Sequence, residues 1–146
     1  MTPGAYAAYD RVAAVTTSKD RILIMLYEGA LRFLKNAGQG IKDKQIAAKG
    51  ENISKVIAIL SELECALDHK VGGELAENLA SLYHYMNHRL VEANIKNDPD
   101  MLDEVGNLLA ELKDAFEQAA QMNKASIPTQ SRYPTAAVTG RVSFAV

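Results

Sequence analysis

The sequence predicts an all-α protein, an antiparallel up-down four-helix bundle with an N-terminal cap segment and an irregular C-terminal tail. Three observations lead there. Apolar residues recur at three- and four-residue spacing through four long stretches, as one face of a helix requires. Short runs of turn and capping residues separate the stretches, and no strand pattern competes before residue 130. Short connections between long amphipathic helices favour antiparallel neighbours. With 146 residues and 48% hydrophobic content, the chain can build one compact core and is too small for two ordinary domains. The expected organisation is a helical-bundle domain over 1–125, including a cap over 1–17, and a tail over 126–146.

The first helix follows Ser18, an N-cap residue type. Its stripe is Ile22, Met25, Leu26, Gly29, Ala30, Phe33, Leu34, Ala37 and Ile41. The second repeats the pattern at Ile46, Gly50, Ile53, Ile57, Leu60 and Leu67, and the glycine pair of HKVGG, 69–73, supplies the break. A third helix is expected from about Glu74 to Lys96, with Leu75, Leu79, Leu82, Met86, Leu90 and Ala93 on one side. The run NDPD, 97–100, then stops and restarts the chain: Asp98 can cap free amides, Pro99 suits the first helical position, and Asp100 favours the positive end of the helix dipole. The fourth helix carries Leu102, Val105, Leu109, Leu112 and Phe116.

These helices hold more apolar residues than one stripe needs. Val56, Ile59 and Leu63 add to the second helix, and Met101, Leu108 and Ala115 to the fourth. A second apolar face has to meet more of its own chain, another subunit, or a partner laying an amphipathic helix into a groove. The pattern alone leaves a generously packed core, a self-associating bundle and a binding groove all open.

The two ends differ from the middle. In 1–17, Tyr6, Tyr9, Val12 and Val15 stand at spacings that one helical stripe permits. After 126, Pro128 and Pro134 precede an alternation of Val138, Val142, Phe144 and Val146, the pattern of a linker followed by an extended segment.

Composition excludes several classes of function. The 16 basic residues nearly balance 18 acidic ones and are scattered, so no phosphate-binding surface and no nucleic-acid partner is expected. Residues 1–10 lack a basic start and an apolar stretch, and the longest strongly apolar run, 22–27, is far too short to span a bilayer. A cytosolic protein without membrane insertion is expected. Cys65 has no partner in the chain for a disulfide.

His84, His88 and Glu92 share one side of the third helix, a spacing that can bind zinc when other ligands complete the site. The residue after His84 is Tyr85, where a zinc-protease helix needs glutamate. At about 100° per residue, His84 also points away from Leu82 and Met86, toward a polar side with Glu77 and Ser81. A solvated face is the expectation, and a metal-binding bundle is kept as the alternative. His69, beside the glycine turn, is expected near a helix C-terminus. The serines and Cys65 lack a nearby base, and Gly38 and Gly40 interrupt a helix rather than forming a phosphate loop. Neither enzymatic activity nor a cofactor is expected.

Three segments together resemble the flagellin export chaperone family, FliS. TTSKDRILIMLYEGALRFL, 16–34, is similar to the family's opening helix, with a Leu-Tyr-acid-Gly core at Leu26, Tyr27, Glu28 and Gly29. AKGENISKVIAIL, 48–60, is similar to the second helix. GGELAENLASLYHYMNHRLVEANIKND, 72–98, carries the paired glycines, the Leu-Tyr-x-Tyr-Met run and the Ala-Asn pair, and is the most specific of the three. Lys19, His84, His88 and Phe116 depart from the family's usual proline, charged residues and tryptophan, and the tail has no counterpart. The resemblance implies a cytoplasmic chaperone that keeps flagellin monomeric by binding its disordered C-terminal segment. It also implies delivery to the cytoplasmic domain of the flagellar export gate, with other flagellar regulators as further possible partners. By the same resemblance Tyr6 and Tyr9 take part in binding. Ile22, Met25, Leu26, Ile53, Val56, Ile57 and Leu60 are candidate groove or core positions, which the sequence does not separate.

Overall fold

A computed structural model describes residues 18–130. The expected cap 1–17, with Tyr6 and Tyr9, and the part of the expected tail after 130 lie outside the described residues. Four helices follow one another: α1 (Ser18–Lys42), α2 (Ile46–Cys65), α3 (His69–Lys96) and α4 (Pro99–Gln130). The all-α class is borne out, and no strand occurs among the described residues.

Both α1 and α3 pack against α2 and α4. The contacts run in opposite directions along each pair. Gly29 of α1 lies against Ile59 of α2, whereas Gly40, further along α1, lies against the earlier Lys49. Tyr27 stacks on Phe116 of α4, while Leu34 reaches the earlier Gly106. Likewise Lys49 of α2 meets Asn94 of α3, and the later Glu64 meets the earlier His84. Successive helices are therefore antiparallel, the arrangement that their short connections require.

The turns are built from local chemistry. At the end of α1, Lys44 takes a left-handed conformation (φ 57°), and the Gln45 amide donates back to the Gly40 carbonyl at 2.8 Å. This tight return brings α2 against α1 at Gly40, where an added Cβ would stand 2.9 Å from the Lys49 nitrogen. Asp68 caps α3 by accepting from the amides of Lys70 and Val71 at 3.0 and 3.1 Å. Asn97 ends α3 in the left-handed region (φ 53°), and Asp98 accepts from the Asp100 amide at 2.9 Å to start α4. Lys49 braces the same end. Its buried ammonium donates to the Asn94 carbonyl at 2.8 Å and to Asn97 Oδ1 at 2.6 Å, where the α3 dipole favours positive charge.

Several local expectations are corrected. α2 ends at Cys65 rather than running on to Leu67, because the chain turns into the Asp68 cap. The expected break at the glycine pair is present, since Gly73 is non-helical (φ 51°, ψ −125°) and the regular helix runs on from Glu74; a further turn from His69, not expected, precedes the break within α3. Just after the break Leu75 is exposed and Ala76 buried, whereas Leu79, Met86, Leu90 and Ala93 are buried as expected. His69 stands in the first turn of α3, directly after its Asp68 cap. Residues 126–130, expected in the tail, fall within α4.

The core holds Ala30, Leu34 and Ala37 from α1, Ile53, Val56, Leu60 and Leu63 from α2, Leu79, Met86 and Leu90 from α3, and Leu102, Val105 and Leu109 from α4. Two tyrosines join them: Tyr27 and Tyr83 bury their rings at the centre and share a hydrogen bond between hydroxyls, 2.6 Å apart. This pair links α1 to α3 across the bundle's diagonal.

Candidate functional site

The excess apolar residues find different fates. Val56 and Leu63 of α2 and Met101 of α4 enter the core, Ile59 and Leu108 are half-buried, and Ala115 is exposed. Accessible apolar residues occur at both ends of the bundle, Ile46 and Ile95 at one and Ile22, Val71 and Leu75 toward the other, and the second end holds an apolar groove. There Ile22, Leu23 and Leu26 of α1 face Leu63 of α2 and Leu67 of the following turn, over Tyr83 and Phe116, forming an apolar groove of about 110 Å³ with Lys19 at its edge.

Floor and rim differ physically. Tyr83 is fixed by Tyr27, and the Tyr27 ring stacks on Phe116 with centroids 5.6 Å apart and planes 26° from parallel. Burial raises both phenols above the usual tyrosine value, so the floor stays uncharged. The rim is only partly covered: Ile22 is 58% exposed. A rigid neutral floor under an exposed aliphatic rim suits an apolar side chain supplied from outside. A larger hollow of about 370 Å³ lies at the opposite end between Gly40, Lys44, Ile46, Lys49 and Asn97. It is the seam between two turns, and its buried cation is already satisfied.

Of the nine residues anticipated from sequence, Ile22 and Leu26 line the groove, whereas Met25 is exposed and is not among its lining residues. Ile57 is half-buried. Ile53, Val56 and Leu60 are placed in the core, each no more than 3% exposed. Tyr6 and Tyr9 lie outside the described residues. Leu23, Leu63, Leu67, Tyr83 and Phe116 were not anticipated as site residues. The signal for Tyr83 was its place one residue after Leu82, since a small rotation of α3 buries the tyrosine and leaves Leu82 half-covered.

The histidine side of α3 is drawn to other partners. His84 Nε2 lies 2.8 Å from Glu64 of α2, while Glu92 pairs with Arg89 and Lys96. Arg89 and Tyr85 both donate to Glu104 of α4, and these bonds hold the Glu104 carboxyl below the ordinary carboxylate range. Among the described residues no group of three His, Cys, Asp or Glu is arranged to hold a metal ion. No described helix is long and apolar enough to cross a membrane.

Antiparallel helices around a closed core, with an apolar groove at one end, define an all-α helical bundle with a candidate docking groove. The sequence matches the family described as Flagellar protein FliS over residues 2–123, and the chain belongs to that family, which is one of chaperones and not of enzymes. It is similar to the flagellar secretion chaperone FliS of Bacillus subtilis strain 168, 37% identical over 119 residues, covering 82% of this chain and 88% of the relative. Salmonella typhimurium FliS is 38% identical over 107 residues, covering 73% and 79%. The flagellar secretion chaperone FliSB of Pseudomonas aeruginosa PAO1 is 46% identical over 97 residues, covering 66% and 77%.

Proposed function

We propose that the chain is a cytosolic secretion chaperone that binds the disordered C-terminal segment of flagellin, prevents its premature polymerisation and presents it to the cytoplasmic domain of the flagellar export gate. The observation that carries this reading is the apolar groove with its exposed rim at Ile22, in a chain whose relatives are named flagellar secretion chaperones.

The physics fits such a client. A segment made to assemble into a filament carries an apolar face that drives polymerisation unless covered. Ordering it on a chaperone costs about 2–5 kcal/mol of the gross interaction, so contact has to extend beyond one groove. Helices of 20 to 32 residues offer about 30–48 Å of length along which a wrapped segment can run. Tyr6 and Tyr9 supply further contacts from the N-terminal segment in this reading.

Calorimetric titration of the full chain with the C-terminal segment of flagellin from the same genome, with circular dichroism alongside, tests it. One-to-one binding with a gain in helicity supports the proposal. Absence of binding by the full chain sinks it.

A further inference from the structure

The groove is walled by apolar and aromatic side chains, and its one other lining residue is Lys19. The Tyr83 hydroxyl on its floor is already engaged by Tyr27. Recognition of a polar group at this place therefore falls to a single ammonium. In a site with apolar walls, one charged group fixes the orientation of what binds.

Lys19 differs from the other surface lysines. Lys55, Lys96 and Lys113 each pair with a carboxylate of their own helix, whereas Lys19 has no ion pair or hydrogen bond from its side chain among the described residues. It also stands in the first turn of α1, where free amides already form a positive end and a cation is unfavourable. A carboxylate arriving at the groove edge is attracted by the ammonium and by the helix end together. Spacing adds a second requirement. Lys19, Ile22, Leu23 and Leu26 share one face of α1, and Leu23 lies about 6 Å further along the axis than Lys19. A helix laid along that face has the same rise, so it meets Lys19 with a carboxylate and Leu23 with an apolar side chain when the two are four residues apart.

We propose that the groove selects a stretch of the client in which an Asp or Glu stands one helical turn from a large apolar residue. The apolar side chain enters the groove over Tyr83 and Phe116, and the carboxylate pairs with Lys19. Lys19 is then a specificity-determining residue: apolar walls supply affinity without direction, while the ion pair sets which way the stretch runs along α1 and rejects stretches with a cation at that place. The inference rests on the groove being the client site and names the chemistry which that site recognises.

Calorimetric titration of the C-terminal flagellin segment into the full chain, Lys19→Met and Lys19→Glu tests it. Methionine keeps an unbranched apolar stem and removes the charge, and is expected to weaken binding about three- to five-fold, as for a partly exposed pair. Charge reversal is expected to weaken it about ten-fold or more, and both losses are expected to shrink as salt rises from about 0.05 to about 0.5 M. Neither variant is expected to melt lower than the wild type, since each removes a cation from the positive end of α1. Among segments with a single Asp or Glu replaced by Lys, one is expected to bind Lys19→Glu more tightly than it binds the wild type. Equal affinity of the wild type and Lys19→Glu overturns the proposal, as does undiminished binding of a segment with every Asp and Glu replaced by Asn and Gln. A loss reproduced only by amidating the segment's C-terminus assigns the pairing to the chain end and also overturns it. If the wild type does not bind the segment, the client reading fails and this inference falls with it; binding that ignores Lys19 upholds the client reading and rejects this inference alone.

Discussion

The hydroxyls of Tyr27 and Tyr83 meet 2.6 Å apart at the centre of the bundle, joining two helices that are diagonal rather than adjacent. Each is the other's buried polar partner, and Tyr83 simultaneously floors the groove. Tyr27→Phe or Tyr83→Phe alone strands one hydroxyl in an apolar core and is expected to cost about 1–3 kcal/mol. Replacing both removes the need for a partner, so the double variant is expected to lose clearly less than the sum of the singles. Urea denaturation of all four proteins measures the coupling. Strict additivity would show that the two hydroxyls do not depend on each other.

The same pair gives the fold a limit at alkaline pH. Unfolded phenols ionise near 10.0, whereas burial first of all, reinforced by Tyr83, raises the Tyr27 value above that in the folded chain, and burial likewise raises Tyr83. The folded state therefore keeps protons that the unfolded state releases. This contribution is fully present below pH 10 and is lost as pH rises beyond it, by about 1.4 kcal/mol per pH unit for each phenol held neutral. Above pH 10, stability of the doubly substituted Phe variant is expected to fall less steeply than that of the wild type. Parallel curves in denaturant titrations from pH 8 to 11.5 would refute this.

Two glycines two residues apart separate a close approach from a tolerated weakness. A Cβ at Gly40 meets the backbone of Lys49 at 2.9 and 3.1 Å, while one at Gly38 meets nothing within 4 Å. Gly40→Ala has to push α2 away and is expected to destabilise by about 1–3 kcal/mol. Gly38→Ala only removes backbone freedom within a helix and is expected to stabilise by about 0.5–1 kcal/mol. Thermal melts showing both changes with the same sign would break the distinction.

The four helices and their order were legible because each has a long apolar stripe and a turn signal at its end. The Asp98, Pro99, Asp100 restart is the clearest case, with Asp98 accepting from the Asp100 amide. What periodicity does not convey is rotation by a fraction of a turn. Leu82 and Tyr83 are both apolar enough for the core, and only the packing of α3 against α2 and α4 decides that the tyrosine goes inside. For the same reason Ile22 and Ile53 carry equal signals in the sequence, yet one is exposed and the other sealed. The groove was illegible as a place, since Leu26, Leu67, Tyr83 and Phe116 come from different parts of the chain and only the fold joins them.

The N-terminal segment offers a test of sign. If Tyr6 and Tyr9 contact the client, deleting 1–17 removes binding energy; a segment that merely covers the groove would, once removed, raise the apparent affinity by freeing a competent state. Weakening is expected, and Tyr9→Ala is expected to reproduce part of it. Titration of the truncated chain with the flagellin segment decides between the two, and tighter binding would assign the segment the role of a cover.

The division between groove and core makes the sharpest separation of binding from folding. Ile22 and Met25 are already largely in solvent, so Ile22→Asp and Met25→Asp are expected to change stability by no more than about 0.5 kcal/mol. Each places a charge where an apolar client side chain has to desolvate it, and is expected to weaken flagellin binding about ten-fold or more, equivalent to about 1.4 kcal/mol. Ile53→Ala works the other way. Its side chain is enclosed at 1% exposure, so truncation leaves a cavity costing about 2–5 kcal/mol of stability, while the folded fraction keeps its affinity. Melting temperatures and calorimetric titrations of the three variants would place them in two groups. A strong loss of affinity in Ile53→Ala at a temperature where it is fully folded would mean that the client reaches deeper than the rim, between α1 and α2.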